Sequence, residues 1–263
     1  MSSLGSGLSR PPTITLRNDA GETASESDIM AMLDAAARSL GQREKNKIDK
    51  LRRIKDAARE LFIAKGFDDT TTREIAVRAG VGLGTIFVYA ENKRDLLFLI
   101  VNDELENVTL EAEASVSPSA SLMDNLLGVC RRHYDFFGRQ PALSRLVLRE
   151  MAFYDSGAQA GRFQNTRERL IELIGRTVAL AIEQKTASSC EPPQFVGWAI
   201  FCIFQVELRR WLSDDAPDLR EGLGTLQRAL TLFVTGLKPT EKALALRDPI
   251  PREATRRGRS ARR

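Results

Sequence analysis

The side chains that most often do covalent chemistry are few and scattered in this chain. His133 is the sole histidine, which removes a histidine-rich zinc site and makes any Ser/His or Cys/His pair hang on one residue. Cys130, Cys190 and Cys202 have no metal-type spacing, and three is an odd count for a disulfide framework. They read as small buried hydrophobes. The run Gly80-x-Gly82-x-Gly84 resembles a phosphate loop, but it follows a helical pattern rather than a strand, so the nucleotide-fold reading fails. With no nucleophile elbow, paired metal motif or phosphate loop, the sequence assigns no catalytic residue, no metal ligand and no cofactor.

What the chain does offer is polyanion chemistry. Arg73, at the start of a short helix, suits a bidentate guanine contact or a phosphate clamp. Lys93 falls at another helix start, where free backbone amides and an ammonium group together fit a phosphate. Lys47 and Arg78 are weaker phosphate candidates, and Thr71 and Thr72 bring hydroxyls to the same neighbourhood. On the next segment the reading face comprises Leu83, Gly84, Thr85, Val88 and Tyr89. Thr85 can serve a base through its hydroxyl and Leu83 or Val88 can touch a thymine methyl, which predicts modest direct readout. Charge follows the same division: residues 42–95 carry thirteen Lys/Arg against nine Asp/Glu, residues 238–263 nine against three, and residues 96–237 fourteen against eighteen. Basic ends around an acidic middle suit one part that touches a polyanion and another that does not.

The elements that must position these groups are helical. No stretch keeps the period-2 alternation of a strand, and the fold class expected is all-α. Residues 1–44 read as a disordered arm, rich in Ser, Gly, Thr and Pro, with a short helix from Asp28 that Gly41 closes. A strong helix follows over 46–64, stopped at Lys65-Gly66. Thr71-x-x-Glu74 matches a capping box, opening a helix over 72–79; Gly80-Val81-Gly82 turns the chain and a second short helix covers 83–89. Two short helices about a three-residue glycine turn make a helix-turn-helix. Later helices are expected over 93–114, 119–138, 141–154, 158–187, 193–213 and 216–236. Residues 45–95 thus form a DNA-binding domain, 96–237 an effector-binding and dimerisation domain, and 238–263 a loose basic tail.

From Thr71 to Phe87, TTREIAVRAGVGLGTIF, and again at Asn92-Lys93-Arg94-Asp95-Leu96-Leu97, the sequence resembles the TetR (tetracycline-repressor-like) family. The resemblance implies a homodimer with three N-terminal DNA-binding helices and a divergent C-terminal effector domain of about six. It also implies a repressor rather than an activator. Three residues depart from the family pattern: Gly82 stands at the recognition-helix cap in place of a serine, Phe87 in place of a tyrosine, and Ala90 in place of a bulky aromatic.

Leu219, Leu223, Leu226, Leu230 and Phe233 recur at heptad-like steps on the last helix, a seam that some partner helix must cover. The preceding helix is apolar on nearly all sides, with Phe195, Trp198, Cys202 and Val206 on one face. Together these predict a four-helix dimer interface of Phe195, Cys202, Val206, Leu223, Leu226, Leu230 and Phe233. Tyr134, Phe137, Met151, Phe153, Tyr154, Trp198 and Phe201 can line an apolar cavity for a small-molecule effector. The predicted partners are therefore a double-stranded DNA operator, a small apolar ligand and a second copy. No apolar run reaches the roughly 18 residues of a membrane helix, and the first twelve residues lack the apolar stretch of a secretory peptide, which predicts a cytoplasmic protein. Two other functions fit the same residues: a helical protein-interaction adaptor, and a redox-responsive regulator acting through Cys130 or Cys202.

Overall fold

The computed structural model describes the backbone of residues 26–236 and side chains from Gly41 onward, so residues 1–25 of the expected arm and the expected basic tail lie outside the described residues. Every regular element among the described residues is helical: α1 (Glu26–Lys65), α2 (Thr72–Ala79), α3 (Leu83–Tyr89), α4 (Lys93–Ser115), α5 (Leu122–Arg139), α6 (Pro141–Glu150), α7 (Ala160–Glu183), α8 (Pro193–Leu212) and α9 (Leu219–Thr235). A 3₁₀ turn, Met151–Phe153, follows α6. None of the helices is long and apolar enough to cross a membrane.

The helix starts obey simple capping chemistry. Ser121 Oγ accepts from the Asp124 amide at 3.1 Å and Asp218 Oδ1 from the Glu221 amide at 2.8 Å, each satisfying an amide that has no intrahelical partner. Pro141 and Pro193 occupy first-turn positions, where a missing N–H costs nothing. One boundary corrects the sequence reading. Gly41 does not close a short helix; α1 runs through it without a break. An interior glycine costs about 1 kcal/mol, which is too little to stop a helix that has no left-handed turn at that point.

The chain divides into two compact units. Unit 1 takes residues up to Val101 together with Ser156–Ala160; unit 2 takes Asn102–Asp155 and the residues from Gly161 on. The division falls within α4 at 101/102 rather than at the expected 95/96. In unit 2, α9 packs on both α5 and α8. Trp211 of α8 is the wedge at that junction: its ring stacks on Tyr134 at 4.7 Å and its indole N–H donates to the Asp218 carbonyl at 2.8 Å. A Cβ on Gly222 of α9 would fall 2.5 Å from the same indole, so only glycine lets α9 approach this closely.

His133 lies in the same core, 2% exposed, with Nδ1 donating to the Val129 carbonyl at 2.9 Å. Burial pulls its pKa down from 6.5 to about 4, with the Val129 hydrogen bond opposing the shift. The folded pKa is thus the lower one, and the unfolded chain takes up the proton first. Stability is therefore full above about pH 6.5 and falls as pH drops toward 4. We expect His133→Gln to flatten this slope: between pH 7 and pH 5 the wild-type chain should lose about 2 kcal/mol more than the variant in denaturant titrations. Equal losses would contradict the assignment.

Candidate nucleic-acid interface and effector cavity

Unit 1 is built around a three-helix core. Ile54, Ala58 and Phe62 of α1 meet Ile75, Ala76 and Ala79 of α2 and Ile86 of α3, all buried. At the α2 start the capping box closes in both directions: the Glu74 amide donates to Thr71 Oγ1 at 3.2 Å and the Thr71 amide to Glu74 Oε2 at 2.8 Å. Lys65 also pairs with Glu74, and this hydrogen bond, ahead of the two from Thr71, holds the Glu74 carboxyl down to about 2. At the other end Gly80 takes φ +62°, and the Val81 amide reaches back to the Ala76 carbonyl at 3.0 Å, the six-to-one bond of a Schellman close. Arg53 of α1 donates from Nη1 to the Ala79 carbonyl at 3.0 Å, which ties the turn to the long helix.

This frame turns one side of α3 outward. Val88 is 74% exposed, Phe87 51% exposed and Gly84 exposed, while Leu83, Thr85 and Tyr89 are half-buried. Phe87 is the residue that the sequence reading left off this face. It lies one helical turn from Gly84, and that i, i+3 relation was the available signal. Val77 on α2 is also exposed, at 78%. Gly82 starts α3 with no side-chain cap. Thr71 is exposed and Thr72 half-buried beside Arg73. Arg73 itself is exposed and forms no ion pair among the described residues. Lys47 stands on the exposed stretch of α1 from 41 to 50, with Glu44 3.9 Å away.

Two predicted phosphate ligands are already engaged inside the unit. Arg78 forms a two-pronged pair with Glu60, its Nε donating at 3.0 Å, so it fastens α2 to α1 while its side chain stays 57% exposed. Lys93 donates to the Asp68 carbonyl at 2.9 Å and sits 4.6 Å from the Phe67 ring centroid. Lys93 is half-buried at the start of α4, and an ammonium has donor capacity beyond the one bond to Asp68.

Unit 2 holds a small apolar cavity of about 30 Å³. Its walls include Leu105, Phe137, Met151, Phe163, Phe201 and Phe204, with Thr109, His133, Arg167 and Gln205 as polar tips. His133 Nδ1 donates to the Val129 carbonyl at 2.9 Å, its Nε2 lies 3.4 Å from the Thr109 hydroxyl oxygen, and that hydroxyl also donates to the Leu105 carbonyl at 2.9 Å. Of the residues expected to line a ligand site, Phe137, Met151 and Phe201 come together here. The others do not. Tyr134 packs under Trp211, Tyr154 against Phe163 at 6.0 Å, and Phe153 is 86% exposed on the 3₁₀ turn. Trp198 stacks on Phe195 at 5.7 Å on the outside of α8, a position that replaces the one expected for it.

That outside face is apolar: Phe195, Trp198 and Val206 are exposed and Cys202 half-buried, all on one side of α8. On α9, Phe233 is exposed and Leu223 half-buried. Leu226 and Leu230, by contrast, are fully buried in the chain's own core, which corrects their placement in an interface between copies. The seam on α9 is covered by α5 and α8 of the same chain.

The sequence profile of the tetR family of bacterial regulatory proteins matches residues 54–100, the span that includes the helix-turn-helix just described. By that match the reading head, residues 54–100, is similar to the DNA-binding segment of the tetR family. A fatty acid metabolism regulator protein of Bacillus subtilis is 30% identical over 107 residues, a stretch that covers 41% of this chain and 55% of that regulator's length. Among solved structures, Thermus thermophilus FadR, a TetR-family repressor in complex with lauroyl-CoA, shares 25% identity with a TM-score of 0.53, over 76% of this chain and 98% of that one. FadR of Bacillus subtilis in complex with stearoyl-CoA shares the fold, at 19% identity and a TM-score of 0.58, over 71% and 98% of the two chains.

In this TetR-like head the α2 cap is the exposed feature most open to test. Thr71→Ala removes the hydroxyl that accepts from Glu74, and we expect a loss of about 1 kcal/mol in the unfolding free energy. Far-UV circular dichroism in urea measures it, and an unchanged midpoint would contradict the role given to the cap.

Proposed function

We propose that this chain is a TetR-family, sequence-specific transcriptional repressor that acts in the cytoplasm, binds a palindromic operator as a homodimer and leaves it when a long-chain acyl-CoA occupies unit 2. The observation that carries the first part is the outward side of α3, with Gly84, Phe87 and Val88 exposed on a frame locked by Gly80 and Arg53. Such a helix enters a major groove and offers methyl and ring contacts, while Arg73, Thr71, Thr72, Lys93 and Lys47 serve the backbone and a guanine edge. Two heads facing a palindrome need a symmetric pair. The bare apolar strip of Phe195, Trp198, Cys202 and Val206, with Phe233 and Leu223 beside it, supports pairing through α8 and α9.

The ligand reading rests on the lining of the cavity and on the acyl-CoA held by the Thermus relative. A void of about 30 Å³ has room for about two waters and not for an alkyl chain. An acyl chain therefore has to part the helices around it. Burying a lauroyl tail is worth on the order of 8 kcal/mol at about 0.8 kcal/mol per methylene, more than the 1–3 kcal/mol that allosteric couplings usually use. Helix α4 contributes both Leu105 to the cavity and Lys93 to the DNA-facing unit, so it is the covalent route for the response. The redox alternative loses weight at Cys130, whose buried thiol is pushed up to about 12 and so stays protonated at neutral pH. The adaptor alternative draws on the exposed Val77, Phe87 and Val88.

Genomic fragments selected on the purified chain and titrated in gel-shift assays test the proposal. We expect lauroyl-CoA or stearoyl-CoA to weaken binding by about 5- to 150-fold, and Arg73→Ala to weaken it by about 1–3 kcal/mol per half-site. Val206→Glu should yield monomers in sedimentation and lose the shifted band. Failure to enrich any duplex would favour the adaptor, and indifference to acyl-CoA would remove the ligand assignment.

A further inference from the structure

Five residues, Ser156–Ala160, belong to unit 1 although the chain enters them from unit 2 at Asp155 and returns to it at Gly161. What holds them there is a buried carboxyl group. Asp95 is fully buried at the start of α4. Its Oδ2 accepts from the Ala158 amide at 2.9 Å and from the Glu91 amide at 2.8 Å, and its Oδ1 from the Gln159 amide at 3.4 Å. Its own amide donates to Asn92 Oδ1 at 3.0 Å. Gly157 completes the joint: it takes φ +120°, and a Cβ there would fall 2.3 Å from Asp95 Oδ1, so backbone conformation and space both demand glycine.

The strap then reaches the reading helix. Gln159 Nε2 donates to the Tyr89 carbonyl at 3.0 Å, occupying one of the last carbonyls of α3, which have no partner within the helix. On either side the strap is bounded by residues that line the cavity, with Met151 five positions before Ser156 and Phe163 three after Ala160.

We infer that Asp95, Gly157 and Gln159 form a positioning joint that makes residues 156–160 a working part of the DNA-reading head, through which cavity occupancy and operator binding sense each other. The inference rests on the regulator reading above and adds the residues that carry its regulation. The physical logic is that a buried carboxyl group cannot give up backbone amide donors cheaply, because each lost bond leaves an unmet polar group. Movement of Met151 or Phe163 therefore pulls on the end of α3 rather than dissipating in a slack loop. Coupling of this kind is reciprocal, so DNA must act on the strap as the ligand acts on the head.

That reciprocity gives a test that needs no effector. Amide hydrogen exchange is followed on the full chain with and without a selected operator duplex, for wild type, Asp95→Asn and Gln159→Ala. Asp95→Asn keeps the shape but replaces one acceptor oxygen, and Gln159→Ala removes the side-chain contact to Tyr89 while leaving Asp95 in place, so it keeps the test available should the first variant fold poorly. In wild type we expect DNA to slow exchange over 72–93 and, by about fivefold or more, over 156–163 as well. In both variants the slowing over 72–93 should persist while that over 156–163 falls below about twofold. Slowing at 156–163 that is absent from wild type, or undiminished in the variants, overturns the joint. Absence of any slowing at 72–93 in wild type overturns the regulator reading and the joint with it.

Discussion

The direction in which α3 leaves α2 is fixed at one residue. Gly80 stands in the left-handed region, and around it the last carbonyls of α2 are tied off by the Val81 amide and by Arg53 of α1. A side chain at Gly80 would meet both the φ penalty and the Arg53 guanidinium, 3.3 Å from where its Cβ would lie. Everything that unit 1 offers to a duplex depends on this joint. It decides that Gly84, Phe87 and Val88 face outward and that Ile86 faces the core. The clamps around it are local and redundant, with Glu60 holding Arg78 and Lys65 holding Glu74, so α2 cannot roll on α1 without breaking two ion pairs.

Unit 2 is organised by the opposite principle. Its centre carries aromatic bulk with few polar tips, among them the buried neutral imidazole of His133. Such a core is stable when closed, yet its walls of Leu, Met and Phe exchange one apolar contact for another at little cost. The two units thus differ in kind: rigid hydrogen-bonded geometry in the helix-turn-helix, and adaptable apolar packing around the cavity of unit 2.

The helix-turn-helix was legible because each of its boundaries carries a local signal: Thr71 with Glu74 at the start of α2, and Gly80 at its close. Helices α5 to α9 were legible from apolar periodicity, with ends that differ from the expected ones by up to about four residues. What escaped was tertiary. The sequence does not say that α1 crosses Gly41 unbroken, since a glycine reads the same in a turn and in a helix interior. Nor does it say which helix covers a heptad-like seam, and Leu226 and Leu230 turned out to serve the chain's own core. Arg78 and Lys93 looked like free cations because Glu60 and the Asp68 carbonyl, 18 and 25 positions away, are invisible to local pattern. The strap at 156–160 escaped for the same reason: Asp95 and Ala158 are 63 residues apart.

In the proposed complex α2 and α3 enter duplex grooves twice per symmetric assembly. Hydroxyl-radical footprinting of a selected operator tests it most directly, because it reads the spacing of protected sugars without reference to any effector. The account predicts two protected tracts related by a dyad, with their centres about 34–36 Å apart or a multiple of that distance. A single protected tract, or protection without two-fold symmetry, would contradict it.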